Sequence, residues 1–277
     1  VTVGLVERIR AAAPWSVVRE RDLLYIPLGD DQIMVVACDS DGGIGSKPAD
    51  TVAFDPTELG RFAVRVPLLE LVAAGATAVV VVDALSVERE PTGAAILAGV
   101  LAEAASAGVG ADAVTGSTED NVPTVATGIG VTVIGRAVTA DLRAGRARAG
   151  DHVLLLGRPM SAPVDDVRVD DPEILTVPAL AAALALPMVH EALPIGSGGV
   201  TSELHQLAAS AGLTHAVLPE WPVAPDQTGG PSTAALLAVE GRGSPTDACA
   251  TVAAATGLPV WPLATLTTDP VRSSTTS

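Results

Sequence analysis

Apolar residues recur at two spacings along this chain, and the switching between them predicts a molecule that mixes helices with strands. Leu23 to Leu28 and Ile33 to Cys38 are short apolar segments on either side of Gly29-Asp30-Asp31-Gln32, a turn-forming sequence, so they predict a β-hairpin. Pro56 opens a helical pattern that runs to Ala74 and stops at Gly75. Pro67 lies near its middle, where a missing N–H and a ring clash predict a kink or break. Ala78 to Val82 reads as a buried strand, Pro91 to Ala107 as a helix ended by Gly108, and Gly128 to Gly135 as another strand.

The segment from Asp141 to Asp151 carries Arg143, Arg146 and Arg148 among small residues, and reads as a solvated linker between two domains, residues 1–148 and 149–277, with a phosphate clamp as the alternative. Beyond it the pattern predicts strands at His152 to Leu156, Ala234 to Val239 and Pro259 to Leu263. Helices are expected at Pro172 to Leu186, Thr201 to Ala211 and Thr246 to Thr256, and a disordered polar tail from Thr267 to Ser277. Val1 to Ala13 resembles an amphipathic helix more than a signal peptide. The apolar run at Ala76 to Val82 is too short to span a bilayer, so a soluble cytoplasmic protein with no membrane partner is expected.

Composition sharpens this picture in three ways. Only six of the 277 residues are aromatic, so the core must be built from Ala, Val, Leu and Ile. The formal net charge of -16 would repel nucleic-acid phosphates and anionic membranes, which makes nucleic acid a poor partner. An anionic ligand would need Mg2+ or local Lys and Arg. Cys38 and Cys249 form no Cys-x-x-Cys pair, and no Cys/His cluster is spaced for zinc.

Candidate chemistry concentrates in two segments. Asp39-Ser40-Asp41-Gly42-Gly43-Ile44-Gly45-Ser46-Lys47-Pro48 and Thr115-Gly116-Ser117-Thr118-Glu119-Asp120-Asn121 each follow an apolar run. Their glycines allow a backbone to approach a ligand closely, and their hydroxyls and acids suit a metal-chelated phosphate. Together they suggest a nucleotide site. Lys47 is a candidate phosphate contact, and Glu70 is the sole acid within the apolar helix Ala63 to Ala74, where it must find a ligand or pair with Arg65. The four histidines are scattered without metal spacing.

The order of Gly29-Asp30-Asp31, a strand, Gly43-Ile44-Gly45-Ser46-Lys47, a helix with Glu70, and Gly116-Ser117-Thr118-Glu119 resembles the amino-terminal half of the AIR synthase (PurM-like) superfamily. The resemblance implies a two-domain α+β fold whose amino-terminal sheet forms a barrel across a homodimer. It implies ATP and Mg2+ as cofactors. Gly43, Gly45, Ser46, Lys47, Gly116, Ser117 and Thr118 would then bind the nucleotide, and Asp30, Asp31, Asp41, Glu70 and Glu119 would be metal ligands. Asp39, Asp41, Lys47 and Asp120 would be catalytic candidates, with Asp39 and Asp41 competing for one family position and Glu119 and Asp120 for another.

In the carboxy-terminal half, Leu193-Pro194-Ile195-Gly196-Ser197-Gly198-Gly199-Val200, Glu203, and Gly229-Gly230-Pro231-Ser232-Thr233 resemble loops of α-ribazole kinases. Gly196 and Gly198 sit at a helix start, where free N–H groups favour an anion, and are counted with the candidate cofactor-binding residues. The resemblance thus implies ATP-dependent phosphorylation of a nucleoside-like small molecule, most specifically α-ribazole, in cobalamin lower-ligand salvage. The alternatives are another activating enzyme of the aminoimidazole ribonucleotide synthase, thiamine-monophosphate kinase or selenophosphate synthetase type, or a non-catalytic nucleotide-binding scaffold.

Overall fold

The computed structural model of the protein describes residues 4–268. After a short helix α1 (Leu5–Ala11), the first half supplies strands β1 (Val18–Glu20), β2 (Leu23–Gly29), β3 (Gln32–Gly42), β4 (Ile44–Gly45) and β5 (Val52–Ala53). Helix α2 (Pro56–Ala74), β6 (Thr77–Leu85), α3 (Ala94–Ser106), β7 (Val114–Thr118) and β8 (Gly128–Val138) follow. Strands β4 and β5 make a small parallel pair, and the other six form one sheet in the order β1-β2-β3-β8-β6-β7. The sheet is open at both edges and closes no barrel.

Alternation sets the two faces of this sheet. Ile33, Val35 and Ala37 of β3 and Ile129, Val131 and Val133 of β8 are buried, and α2 packs on these two strands. The other face carries Leu24, Val36, Ile134 and Val80 side by side across four strands. Helix α2 starts at Asp55, whose Oδ1 accepts the Thr57 and Glu58 N–H groups, and ends at Gly75 in the left-handed conformation. The break expected at Pro67 as the alternative to a kink is absent, since α2 runs unbroken through it. Burial of Val64, Val66, Leu68 and Leu69 around it offsets a local cost of about 3 kcal/mol.

The second half contains β9 (His152–Leu156), α4 (Val177–Leu184), β10 (Val189–Pro194), α5 (Gly199–Ser210), β11 (Thr214–Val217), β12 (Ala235–Val239), α6 (Pro245–Thr256) and β13 (Val260–Thr267). Its five strands pair antiparallel in the order β10-β12-β9-β13-β11. Both faces are covered, which explains the unbroken apolar runs of β9 and β12. Val153, Leu155 and Leu236 pack with Val200, Leu204 and Leu207 of α5, whereas Leu154, Leu156 and Leu237 join the apolar cluster that contains α2.

Several sequence expectations change. The helix expected from Pro172 begins only at Val177, because the Thr176 side chain caps it there by accepting the Ala179 N–H. Gly116, Ser117 and Thr118 belong to β7, not to a loop, pairing parallel with Asp83 to Leu85. Thr267 ends β13 instead of opening a disordered tail, and residues 269–277 of that expected tail lie outside the described residues. Strands β10 and β11 carry polar residues such as His190, Glu191 and His215, which masked them in the sequence.

Candidate functional site

Strand β3 builds the centre of the site. Its inward face runs Ile33, Val35, Ala37 and then, with the same period of two, Asp39 and Asp41. The last two carboxylates therefore leave the packed core and enter a cavity of about 570 Å3 between the two sheets. Glu70 reaches the cavity from α2, Glu203 from α5, and Asp22 from the turn between β1 and β2. Tyr25, Phe54, Leu59, Phe62 and Val66 supply an apolar wall.

The acids shape one another. Burial and the neighbouring Asp39 push Asp41 up to about 6. Asp39 is itself raised by burial, against a hydrogen bond from the Ser40 backbone. Glu70 is pushed up to about 8, first by burial and then by Asp22, Asp39 and Glu203. Burial and Asp22 also raise Glu203, whose Oε2 accepts the Gln206 side-chain amide at 3.0 Å. Glu70 Oε2 is buried and receives no hydrogen bond, so a cation at this point would satisfy an acceptor that otherwise has none. Pairing of Glu70 with Arg65 is not found. Arg65 lies 1% exposed under a fork to Glu103, with Nε–Oε1 of 2.6 Å and Nη2–Oε2 of 3.1 Å, and stacks on Phe62.

One cation, Arg21, lines the cavity, and it is already committed: its guanidinium pairs with the fully buried Glu191, and its Nε donates to Ser210 Oγ at 3.1 Å. These bonds tie the first half to the second.

The glycine segment leaves β3 beside this cavity, which Ile44 lines. Asp50 holds the segment. Its Oδ2 accepts the Lys47 N–H at 2.8 Å and Thr127 Oγ1 at 2.7 Å, and its Oδ1 accepts the Thr127 N–H at 2.7 Å. Burial opposes the charge, but these bonds and the Lys47 charge together hold the Asp50 carboxyl below its usual range. Gly45 must be glycine here, since a Cβ would sit 2.5 Å from Thr127 Oγ1 at a backbone φ of 150°.

The second glycine-bearing segment meets the first through residues that sequence reasoning missed. The Lys47 ammonium pairs with Glu88, which is held down at about 2 by hydrogen bonds from Lys47 and then Thr92. Next to Glu88, the Arg89 N–H donates to Asp120 Oδ1 at 2.8 Å, and Thr118 Oγ1 donates to Asp120 Oδ2 at 2.7 Å. Glu119 turns back on its own loop, accepting from the Asn121 and Val122 N–H groups. Gly116 has no room for a side chain, because a Cβ would overlap the buried Asp83.

Asp30 and Asp31 are not brought to this site. They occupy the exposed turn between β2 and β3, at the opposite end of β3 from Asp39 and Asp41, and Asp31 accepts a hydrogen bond from Thr139 Oγ1. By contrast Gly196, Ser197 and Gly198, at the start of α5, do line the cavity, as do Gly230, Pro231 and Ser232. Among the described residues no group of three or more His, Cys, Asp or Glu side chains is close enough to hold a metal alone. Mg2+ differs in habit from metals held that way: it takes one or two carboxylates and completes its shell with water and phosphate oxygens. Asp41 and Glu70 both line the cavity, and Glu70 brings the buried oxygen that has no partner.

Residues 21–137 match the family model of the AIR synthase related protein, N-terminal domain. The fold is similar to that of tt0281 from Thermus thermophilus, with a TM-score of 0.63 and 18% identity over 88% of this chain and 85% of that one. Thiamine-monophosphate kinase from Stenotrophomonas maltophilia K279a gives a TM-score of 0.60 and 17% identity over 96% and 93% of the two chains. The hydrogenase maturation protein HypE in complex with ATP gives 0.60 and 15% over 86% and 78%. No curated protein matches the chain in sequence. No helix among the described residues is long and apolar enough to cross a membrane.

Proposed function

We propose that this member of the AIR synthase-like superfamily is an ATP-dependent kinase of an uncharged, hydroxyl-bearing small molecule, with α-ribazole the best candidate. The observation that carries the reading is the lining of the cavity: five acids, Asp22, Asp39, Asp41, Glu203 and Glu70, the last protonated at neutral pH in the absence of a cation, face an apolar wall, and Arg21 is already neutralised by Glu191. Such a lining disfavours an acceptor that already bears phosphate and suits a neutral nucleoside with an apolar base. Residues 1–148 would supply the nucleotide side and residues 149–277 the acceptor side.

In this reading Asp41 and Glu70 hold Mg2+, which would supply charge neutralisation for the ATP phosphates. The Gly43 to Lys47 segment and Gly116 to Thr118 position the nucleotide, with Lys47 as a point charge released from Glu88 when phosphate competes for it. Asp39 or Asp41 accepts a hydrogen bond from the attacking hydroxyl and orients it, which is most of what phosphoryl transfer asks of a protein. The backbone at Gly196 to Gly198 approaches the acceptor. The open face of the first sheet would be covered by a second copy, giving a homodimer.

The test is phosphate transfer from ATP in the presence of Mg2+, followed by mass spectrometry, with α-ribazole, thiamine monophosphate and formylglycinamidine ribonucleotide as acceptors. Product with α-ribazole alone is the expected outcome. Turnover of a phosphate-bearing acceptor in its place would overturn the charge argument.

A further inference from the structure

A second cavity, of about 550 Å3, lies where the two halves join and has the opposite character. Arg143, Arg146, Arg148 and His190 line it in a chain with twice as many acids as Lys and Arg. Elsewhere most of the described basic side chains are matched to carboxylates, as in Arg8–Glu20, Arg21–Glu191, Arg61–Glu103 and Arg158–Glu173. Among the described residues, none of these three arginines has a carboxylate within ion-pair distance, although Asp141 also lines the cavity.

Their roles divide. Arg143 is structural: it is half-buried and donates to Leu184 O at 2.9 Å and Val189 O at 3.0 Å, closing the end of α4 onto β10. Arg146 spends one Nη on Ala140 O and keeps its remaining donors. Arg148 is bonded only through its backbone, to Asp151; its side chain is exposed beside them and makes no hydrogen bond to the described residues. His190 is fixed in orientation by Asp151, with Nδ1–Oδ2 of 2.8 Å, which leaves Nε2 for the cavity. Two guanidiniums and an oriented imidazole thus surround a space far larger than an ion, walled by Val72, Leu184 and Pro187.

We infer that this cavity binds the phosphate or polyphosphate group of a small molecule, with Arg146 and Arg148 as its charged contacts and His190 Nε2, whose partner nitrogen is spent on Asp151, as an oriented acceptor for a phosphate hydroxyl. Guanidinium forks match phosphate oxygens in geometry as well as charge. The site is separate from the acid-lined cavity yet shares a wall with it. Val72 and Gly75 of the α2 end face the basic cavity while Ala73 and Ala74 face the acidic one, and Arg143 and Ala144 of the linker divide in the same way.

Calorimetric titration of the full chain with pyrophosphate in Mg2+-free buffer tests the inference, alongside inorganic phosphate, citrate and the doubly substituted Arg146→Gln/Arg148→Gln protein. Both arginines are exposed, so the variant should keep the wild-type melting temperature. The expected result is pyrophosphate binding tighter than phosphate, weakened at least tenfold in the variant, and unchanged in Glu70→Gln. Equal affinity in wild type and the double variant would overturn the site, as would no binding at millimolar pyrophosphate. Tighter binding of citrate than of pyrophosphate would overturn the phosphate assignment. None of these outcomes depends on which acceptor the acidic cavity takes.

Discussion

At the scale of single residues the decisive group is Glu70. A carboxyl pushed up to about 8 by burial and by Asp22, Asp39 and Glu203 is protonated in the folded protein at neutral pH but ionised in the unfolded chain. The folded state therefore binds more protons between the unfolded value of 4.5 and about 8, and stability falls as pH rises through that window. Asp41, pushed up to about 6, adds to the lower part of the same slope. Replacing Glu70 by Gln, which resembles the protonated form, should flatten the profile and stabilise the metal-free protein at pH 8 by about 2–4 kcal/mol. Urea melts at pH 5.5 and pH 8 check this, and an unchanged pH slope in the variant would exclude Glu70 as its source. Mg2+ should raise the melting temperature of the wild type more at pH 8 than at pH 5.5, and should lose that effect in Glu70→Gln. Asp39 and Asp41 were legible as site residues because they open a glycine-bearing segment directly after an apolar run. Asp22, Glu88 and Glu191 were not, since their charges acquire meaning only from partners such as Lys47 and Arg21 that folding brings from far along the chain.

At the scale of elements, two glycine-rich connections border the acid-lined cavity and take the binding roles in the proposed reading, and the first rests on a single acid. The Gly43 to Lys47 segment is shaped by Asp50, which accepts three hydrogen bonds across it. Asp50→Ala leaves the Lys47 and Thr127 donors to water. It should cost about 1–2 kcal/mol of stability and weaken Mg-ATP binding about tenfold through loss of loop shape, measured by thermal melts and calorimetry. A melting curve and an affinity both equal to wild type would show that the segment holds its form without Asp50. The second connection, Gly196 to Gly198, leads into α5. A Cβ on Gly198 would come within 2.9 Å of Ser202 Oγ and 3.5 Å of Glu203 Oε1. In the proposed reading, where the nucleotide segments belong to the other half, Gly198→Val should push on Glu203, abolish turnover of α-ribazole and leave Mg-ATP affinity within about twofold. Loss of both functions together would place the nucleotide against α5 instead. The sequence disclosed both connections through their glycines. It misplaced Gly116 to Thr118 in a loop, because a strand of small polar residues carries no apolar alternation, and it tied Asp30 and Asp31 to the metal, whereas their turn lies at the opposite end of β3 from Asp39 and Asp41 and neither lines the cavity.

At the scale of the whole molecule, one sheet is finished and the other is not. The five-stranded sheet is packed on both faces, as the continuous burial of β12 shows. The six-stranded sheet is packed on one, and its other face carries the in-register row of Leu24, Val36, Ile134 and Val80, with Val79 and Leu28 more than a third exposed nearby. The resemblance in the sequence pointed to a barrel shared by two copies. A single chain leaves this face open, and a second copy would bury the row at about 25 cal/mol per Å2 of apolar surface. Val36 sits at the middle of the row and outside the acid-lined cavity, so it separates assembly from chemistry. Val36→Glu places a charge where the two sheets would meet, and an unpaired charge there costs several kcal/mol once water is excluded. Sedimentation equilibrium should find the wild type dimeric at micromolar concentration and Val36→Glu monomeric, while the thermal melt of the variant, extrapolated to low protein concentration, stays close to that of wild type. A wild-type protein that sediments as a monomer and still turns over its acceptor would show that the apolar row is tolerated in water and that the site is complete within one chain.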